Sequence, residues 1–261
     1  MLIAHLSDLH VSLGPPETGA VRHDARQMAE LLVADLCRLP QQPDAVVISG
    51  DIADGGSAED YALVRRILAP LKMPVMVVPG NHDKRGPMRA AFAQSHPYQD
   101  LPWLCYVRAF AGFRVIGLDS LIEGQTAGRL CDGQLDWLET TLAQSQDPCF
   151  VALHHPPFSS GNRHWDDSAL IGGADRLRAI LQAHPVRLLC GHVHQAYHMH
   201  WAGGYAAVAG SPAFQYGFGF DEAAEPPLID GPCPYWLHHL RADGSFGVHL
   251  RSLILPPRAD L

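Results

Sequence analysis

Paired cysteines, long apolar runs and basic patches are what this chain lacks. Its six cysteines, Cys37, Cys105, Cys131, Cys149, Cys190 and Cys233, are scattered and form no C-x-x-C pair. That excludes a thiolate zinc framework and a small disulfide scaffold. No apolar run approaches the ~20 residues that span a bilayer. No basic segment precedes an apolar stretch at the N-terminus, so no signal peptide is expected and a cytoplasmic chain with reduced thiols is. Charged residues make up 18% and the formal net charge is -8, which argues against a large footprint on nucleic-acid phosphates. No repeat or low-complexity linker divides the 261 residues, so one domain over 1–261 is expected.

What is present is histidine, 16 in all, and a regular alternation of strand-sized apolar runs with helix-like segments. Strands are expected at Leu2–Leu6, Ala45–Ile48, Pro74–Val78, Phe150–Leu153 and Val186–Cys190. Each runs straight into a polar cluster. Helices are expected over Asp24–Leu39, Ala58–Leu68, a segment from an Asp132 N-cap to Ala143, and Ala174–Ala183. Trp103–Ala109 and Phe113–Leu118 read as an antiparallel pair joined at Ala111-Gly112. Further strands are expected around Tyr197–Trp201, Tyr205–Ala209 and Tyr235–Leu255, the last split by the hairpin signal Asp243-Gly244. Strand, polar loop, helix, repeated, is the α/β pattern, in which ligands gather at the carboxyl ends of strands. The irregular stretch 210–234 is long enough to be read as a substrate-rim or oligomer-contact segment.

Five successive strand ends carry, in order, Asp8-Leu9-His10, Gly50-Asp51, Gly80-Asn81-His82-Asp83, His154-His155-Pro156-Pro157 and Gly191-His192-Val193-His194. Singly, each reads as a turn or a surface histidine; jointly they make a metal-ligand set. Residues i and i+2 of an extended segment point to one side, so Asp8 and His10 are expected to grip one ion together. His192 and His194 either share that geometry or diverge to separate ions. Carboxylate, imidazole and amide donors suit Fe, Mn, Zn or Co. Seven candidates exceed what one ion needs, and two ions bridged by Asp51 absorb the surplus. Ions roughly 3.5–4 Å apart are the usual device for in-line displacement at phosphorus, with a hydroxide held between them for attack.

These blocks resemble the calcineurin-like metallophosphoesterase superfamily, over nearly the whole chain from Asp8 to His194. Within it, Gly50-Asp51-Ile52-Ala53-Asp54-Gly55 and His154-His155-Pro156-Pro157-Phe158 resemble the bacterial cyclic nucleotide and glycerophosphodiester phosphodiesterases. The resemblance implies a four-layer α/β/β/α sandwich of two mixed sheets flanked by helices. It implies a first metal on Asp8, His10, Asp51 and His194, and a second on Asp51, Asn81, His154 and His192. His154 is then the ligand of its pair and His155 lies behind it. His82 becomes the acid that protonates the leaving alkoxide, with Asp83 orienting its ring. The implied activity is hydrolysis of a small-molecule phosphodiester, with no nucleic acid polymer or membrane as partner and a homodimer or higher homo-oligomer left open. A phosphomonoesterase or nucleotidase on the same fold is the alternative. A non-catalytic binding module is a third reading, and it would predict gaps in the ligand list. Asp54 reads either as a wall of the substrate side or as a turn aspartate. Arg22, Lys84 and Arg85 are candidate cations for the extra charge of a monoester. Trp165, Asp166 and Asp167, together with Phe214, Tyr216, Phe218 and Phe220, are candidate rim or contact residues. His23, His164, His198 and His200 read as surface.

Overall fold

Side-chain alternation along the strands decides the layering. The computed structural model describes residues 1–16, 19–98, 100–217, 219–220 and 226–257. The first half of the chain forms β1 (Leu2–Leu6), α1 (Ala25–Cys37), β2 (Ala45–Ile48), α2 (Ala58–Leu68), β3 (Val75–Val77), α3 (Arg85–Phe92), β4 (Tyr106–Phe110), β5 (Phe113–Gly117), β6 (Gly128–Arg129) and α4 (Asp132–Ala143). The second half forms β7 (Cys149–Ala152), α5 (Arg163–Asp166), β8 (Leu170–Gly172), α6 (Ala174–Gln182), β9 (Val186–Cys190), β10 (Tyr197–Trp201), β11 (Gly204–Val208), β12 (Gln215–Tyr216), β13 (Leu228–Ile229), β14 (Cys233–Leu240) and β15 (Phe246–Leu253).

Two large mixed sheets result, one ordered β15-β14-β1-β2-β3 and the other β10-β11-β9-β7-β5-β4. In the first, β1, β2 and β3 run parallel and β14 and β15 antiparallel to their neighbours. In the second, β5, β7, β9 and β11 are parallel, with β4 and β10 as antiparallel edges. Ala4 and Leu6 of β1 and Val46 and Ile48 of β2 pack with Leu32 and Leu36 of α1 and Val64 of α2. The intervening Ile3, Ala45 and Val47 face the opposite way and meet Phe113, Val115, Phe150 and Leu189 of the other sheet. That sheet's outer face, with Val151, Leu153 and Leu188, is covered by Leu135 and Leu138 of α4 and Leu177 of α6. Each strand buried on both faces reads as a continuous apolar run. The expected α/β/β/α sandwich is what these three contact layers make.

The structure adds α5 and the short strands β6, β8, β12 and β13 to the expected elements, β12 and β13 within the stretch 210–234 read as irregular, and it differs from expectation at two further helices. The α4 N-cap is Cys131, one residue before Asp132, with Gln134 completing the cap. Helix α3 has no counterpart among the expected elements because Gly86-Pro87 looks like a turn. Within a first helical turn, however, proline forfeits no hydrogen bond, and Met88 and Phe92, four apart, supply its buried face. No helix among the described residues is long and apolar enough to cross a membrane.

Candidate metal centre

The parallel strands β1, β2 and β3 end on one side, and their loops stay paired beyond the sheet. The Asp8 amide donates to the Gly50 carbonyl at 3.0 Å and the His10 amide to the Asp51 carbonyl at 2.9 Å. Both loops leave extended geometry at once. Six non-glycine residues among those described have a positive φ, and five are candidate ligands: Asp8 (56°), His10 (44°), Asp51 (48°), His192 (75°) and His194 (55°). Asp8 and His10 therefore do not meet as i and i+2 of an extended segment; left-handed turns aim them instead. Such conformations cost on the order of 1–3 kcal/mol each and gather where function over-determines the backbone. Two glycines make the necessary room. A side-chain carbon on Gly50 would overlap the His154 ring, and one on Gly80 would overlap the Asp51 carboxylate.

All seven candidate ligands converge. Ligand atoms of Asp8, His10, Asp51 and His194 lie within 4.8 Å of one another, all buried. His154 Nε2 is 3.3 Å from Asp51 Oδ2 and 3.1 Å from Asn81 Oδ1, and His192 Nδ1 is 3.0 Å from the same amide oxygen. Asp51 thus lies between the two groups.

The hydrogen bonds behind the imidazoles settle which nitrogen faces inward. His10 Nδ1 is 3.1 Å from Asp54 Oδ1, His154 Nδ1 is 2.7 Å from the Ser49 carbonyl and His194 Nδ1 is 3.0 Å from the Phe214 carbonyl. Each partner only accepts, so each Nδ1–H donates and each Nε2 faces the cluster, with a lone pair whenever the ring is neutral. The Nε2 atoms of His10 and His194 then lie 3.3 Å apart with no proton to share. Two inward lone pairs beside two carboxylates, in a buried site, form a donor set that fits cations. Burial alone would raise the Asp51 carboxyl, yet the surrounding His154, His82 and His10 rings hold it well below the usual range.

His155 is placed behind this set. It is fully buried, its Nδ1 is 2.8 Å from Ser120 Oγ and its Nε2 is 2.9 Å from the Thr126 carbonyl. Both ring nitrogens are engaged by these protein partners, although one of them lies within 4.8 Å of ligand atoms of His154 and His192.

His82 stands at the edge of the cluster with 20% of its side chain exposed. Its amide donates to Asp51 Oδ1 at 2.9 Å. Its Nδ1 is 3.1 Å from the Asp54 carbonyl and 3.3 Å from Asp54 Oδ1. Burial pulls this imidazole down, but the Asp51 and Asp54 carboxylates outweigh it and lift it to about 10. The expected partnership with Asp83 is not found. The Asp83 carboxylate accepts from the amides of Gly80, Ile52 and Ala53 and from the Tyr61 hydroxyl, at 2.9, 3.3, 3.3 and 2.9 Å. It braces the loops that carry Asp51 and Asn81, while Asp54, fully buried, orients both His10 and His82.

A cleft of about 410 Å³ opens beside His82, lined also by Asn81, Lys84, Glu123, Gln125 and Thr126. Of the three candidate cations, Arg22 is tied to Asp24 and the Pro256 carbonyl, and Arg85 to Asp119 at 2.6 and 2.9 Å. Lys84 alone of them lines the cleft.

Three of the rim candidates, Phe214, Tyr216 and Trp165, are buried rather than on a rim. Phe214 and Tyr216 are buried, and the Phe214 ring stacks on His194 with centroids 3.7 Å apart. They brace the cluster from behind. Phe220 is exposed, and Phe218 lies outside the described residues. Trp165 is buried against Tyr216, the Asp166 carboxylate holds Ser159 and Ser160, and Asp167 is exposed. His23, His164, His198 and His200 are exposed, as their sequence contexts suggest. The backbone carbonyls of Ser49 and Phe214 could not be foreseen, since a main-chain acceptor leaves no mark on residue type.

The chain is also similar to known proteins. A family model for calcineurin-like phosphoesterases matches residues 1–196. The chain is 32% identical over 259 residues to the glycerophosphodiester phosphodiesterase GpdQ of Enterobacter lignolyticus, covering 97% of this chain and 91% of that protein. It is 33% identical over 202 residues to the 3',5'-cyclic adenosine monophosphate phosphodiesterase CpdA of Pseudomonas aeruginosa, covering 76% of this chain and 71% of that one. Among solved structures, a dimetal phosphatase from Danio rerio shares the fold, with a TM-score of 0.71 at 16% identity, over 97% of this chain and 95% of that chain.

Proposed function

The chain belongs to the calcineurin-like phosphoesterase family, and from that premise we propose that it hydrolyses small phosphodiesters with two metal ions. Asp8, His10, Asp51 and His194 would hold one ion, and Asp51, Asn81, His154 and His192 the other, drawn from Fe, Mn, Zn or Co. The observation that carries this reading is the convergence of six buried donors and the half-buried Asn81, with Asp51 between the two groups, beside an open cleft. When bound, such a pair lowers the pKa of water and offsets charge on phosphoryl oxygens. The chain's own residues supply the rest. Asp54 holds His82 by Nδ1, leaving the ring's other nitrogen for the leaving-group oxygen, to which it delivers a proton. Both sheets contribute donors to one cluster, so the chain is read as a single catalytic domain.

Charge at the cleft favours a diester over a monoester. With Arg22 and Arg85 engaged elsewhere, Lys84 faces the cleft together with the opposite charge of Glu123. That leaves little to offset the second charge of a monoester. Glu123, Gln125 and Thr126 bring hydrogen-bonding groups, and His82 is the one aromatic ring among the lining residues. This lining suits a hydroxylated alcohol better than a stacked base, so a glycerophosphodiester is the preferred substrate and a cyclic nucleotide the poorer one. The test is a panel run on metal-reconstituted protein: a glycerophosphodiester, cyclic AMP, a model diester and its matching monoester. Diesters should lead in kcat/KM. A tenfold preference for the monoester would remove the proposal.

A further inference from the structure

Residues 120–126 form the far wall of the cleft, and they are fastened from beneath by one side chain. The loop leaves β5 and returns at β6, where the Arg129 amide donates to the Ser120 carbonyl at 2.9 Å. Its crest, Glu123, Gly124, Gln125 and Thr126, is exposed and lines the cleft opposite His82 and Lys84. Below it lies His155, fully buried. The Thr126 carbonyl can only accept, so His155 Nε2–H donates to it at 2.9 Å, and Nδ1 then accepts the Ser120 hydroxyl at 2.8 Å. One imidazole thus joins the two ends of the wall. Gly128 lies so close beneath that a side-chain carbon there would overlap the His155 ring. On the outer side, Arg85 reaches the Leu121 carbonyl, and the Arg85 amide donates to Glu123 at 3.3 Å. The next residue back, His154, is a proposed ligand of the metal pair. Wall and metal cluster therefore hang from adjacent, fully buried residues of the turn after β7.

We propose that His155 is a positioning residue for substrate selection: it fixes the height of the 120–126 wall over the metal cluster, and so decides which leaving alcohol fits. This rests on the phosphodiesterase reading for its substrate, though not for its geometry. The role differs from that of a metal ligand, and the difference is measurable.

The test compares His155→Ala, His155→Gln and Ser120→Ala with the unaltered protein. Glutamine can donate through Nε2 and accept through Oε1, so it replaces both arms of the staple. Three readouts are taken: metal-to-protein ratio by elemental analysis, amide hydrogen exchange of 121–127, and kcat and KM for a glycerophosphodiester and for cyclic AMP. His155→Ala should keep its metals. Loss of two buried hydrogen bonds should speed loop exchange by roughly tenfold or more. KM for the glycerophosphodiester should rise by about tenfold with kcat changed far less, narrowing the preference over cyclic AMP. Ser120→Ala should go part of the way, and His155→Gln should restore most of the wild-type behaviour. Loss of metal from His155→Gln would make His155 a ligand and overturn the proposal. Unchanged exchange and unchanged KM in the folded variants would overturn it equally. Exchange and metal content are read without turnover, so a chain that cleaved no diester would refute the functional reading while those two measurements still tested the staple. If the alanine variant fails to fold, the glutamine and Ser120 variants decide between the same outcomes.

Discussion

Replacing His82 by alanine separates acid catalysis from metal binding. The ring's Nδ1 is held by Asp54, and its tie to the cluster is the backbone amide on Asp51 Oδ1. Alanine keeps that amide, so the bridging carboxylate stays oriented and the metals should stay bound. What is lost is the proton for the leaving group. General acid catalysis is worth roughly 100- to 10,000-fold, or about 3–5 kcal/mol of barrier at about 1.4 kcal/mol per factor of ten. The loss should scale with the leaving group's need for a proton. An alkoxide such as glycerol needs one and should lose the full factor, whereas p-nitrophenolate departs unaided and should lose less than about tenfold. The assay is kcat for both diesters, alongside elemental analysis of the same preparations. Equal losses for the two leaving groups, or loss of metal, would refute the assigned division between acid and ligand.

Other expectations follow from the same geometry. Gly80→Ala should displace the Asp51 carboxylate and empty the site, while Gly86→Ala in α3, with open space around it, should retain its metals and gain up to ~1 kcal/mol in stability; elemental analysis and thermal melts read both. In metal-free protein, burial and the Asp51 charge raise the Asp83 carboxyl from 3.8 to about 7. A raised pKa contributes stability that is present below the unfolded value and lost as pH rises through the folded one. Wild type should therefore lose stability relative to Asp83→Asn between about pH 4 and 7, and parallel melting curves across that range would contradict the shift.

Much of this molecule is legible in its residues. The strands β1, β2, β7 and β9 read as apolar runs because both faces of each are buried, and every such run stops at a polar block. The site is legible because its side chains are of types that seldom cluster except around cations. What stayed hidden has physical causes. The left-handed turns at Asp8, His10 and Asp51 depend on paired loops, and φ is not written in residue type. Asp83 follows His82 directly in the chain, yet its carboxylate is captured by four donors from the surrounding loops and α2, and Asp54, far off in sequence, takes the expected role. Phe214 resembles a rim residue because its two-residue spacing with Tyr216 suggests an edge; the fold turns both rings onto the cluster.

The central claim is that seven side chains hold two ions through one shared carboxylate. The direct measurement is metal content per chain after purification without chelator and reconstitution, for wild type and for Asn81→Ala. Wild type should bind two ions per chain and Asn81→Ala one, because the Asn81 amide oxygen lies against His154 and His192, the other proposed ligands of the second ion. One ion in the wild type, or an unchanged two in the variant, would contradict the assignment.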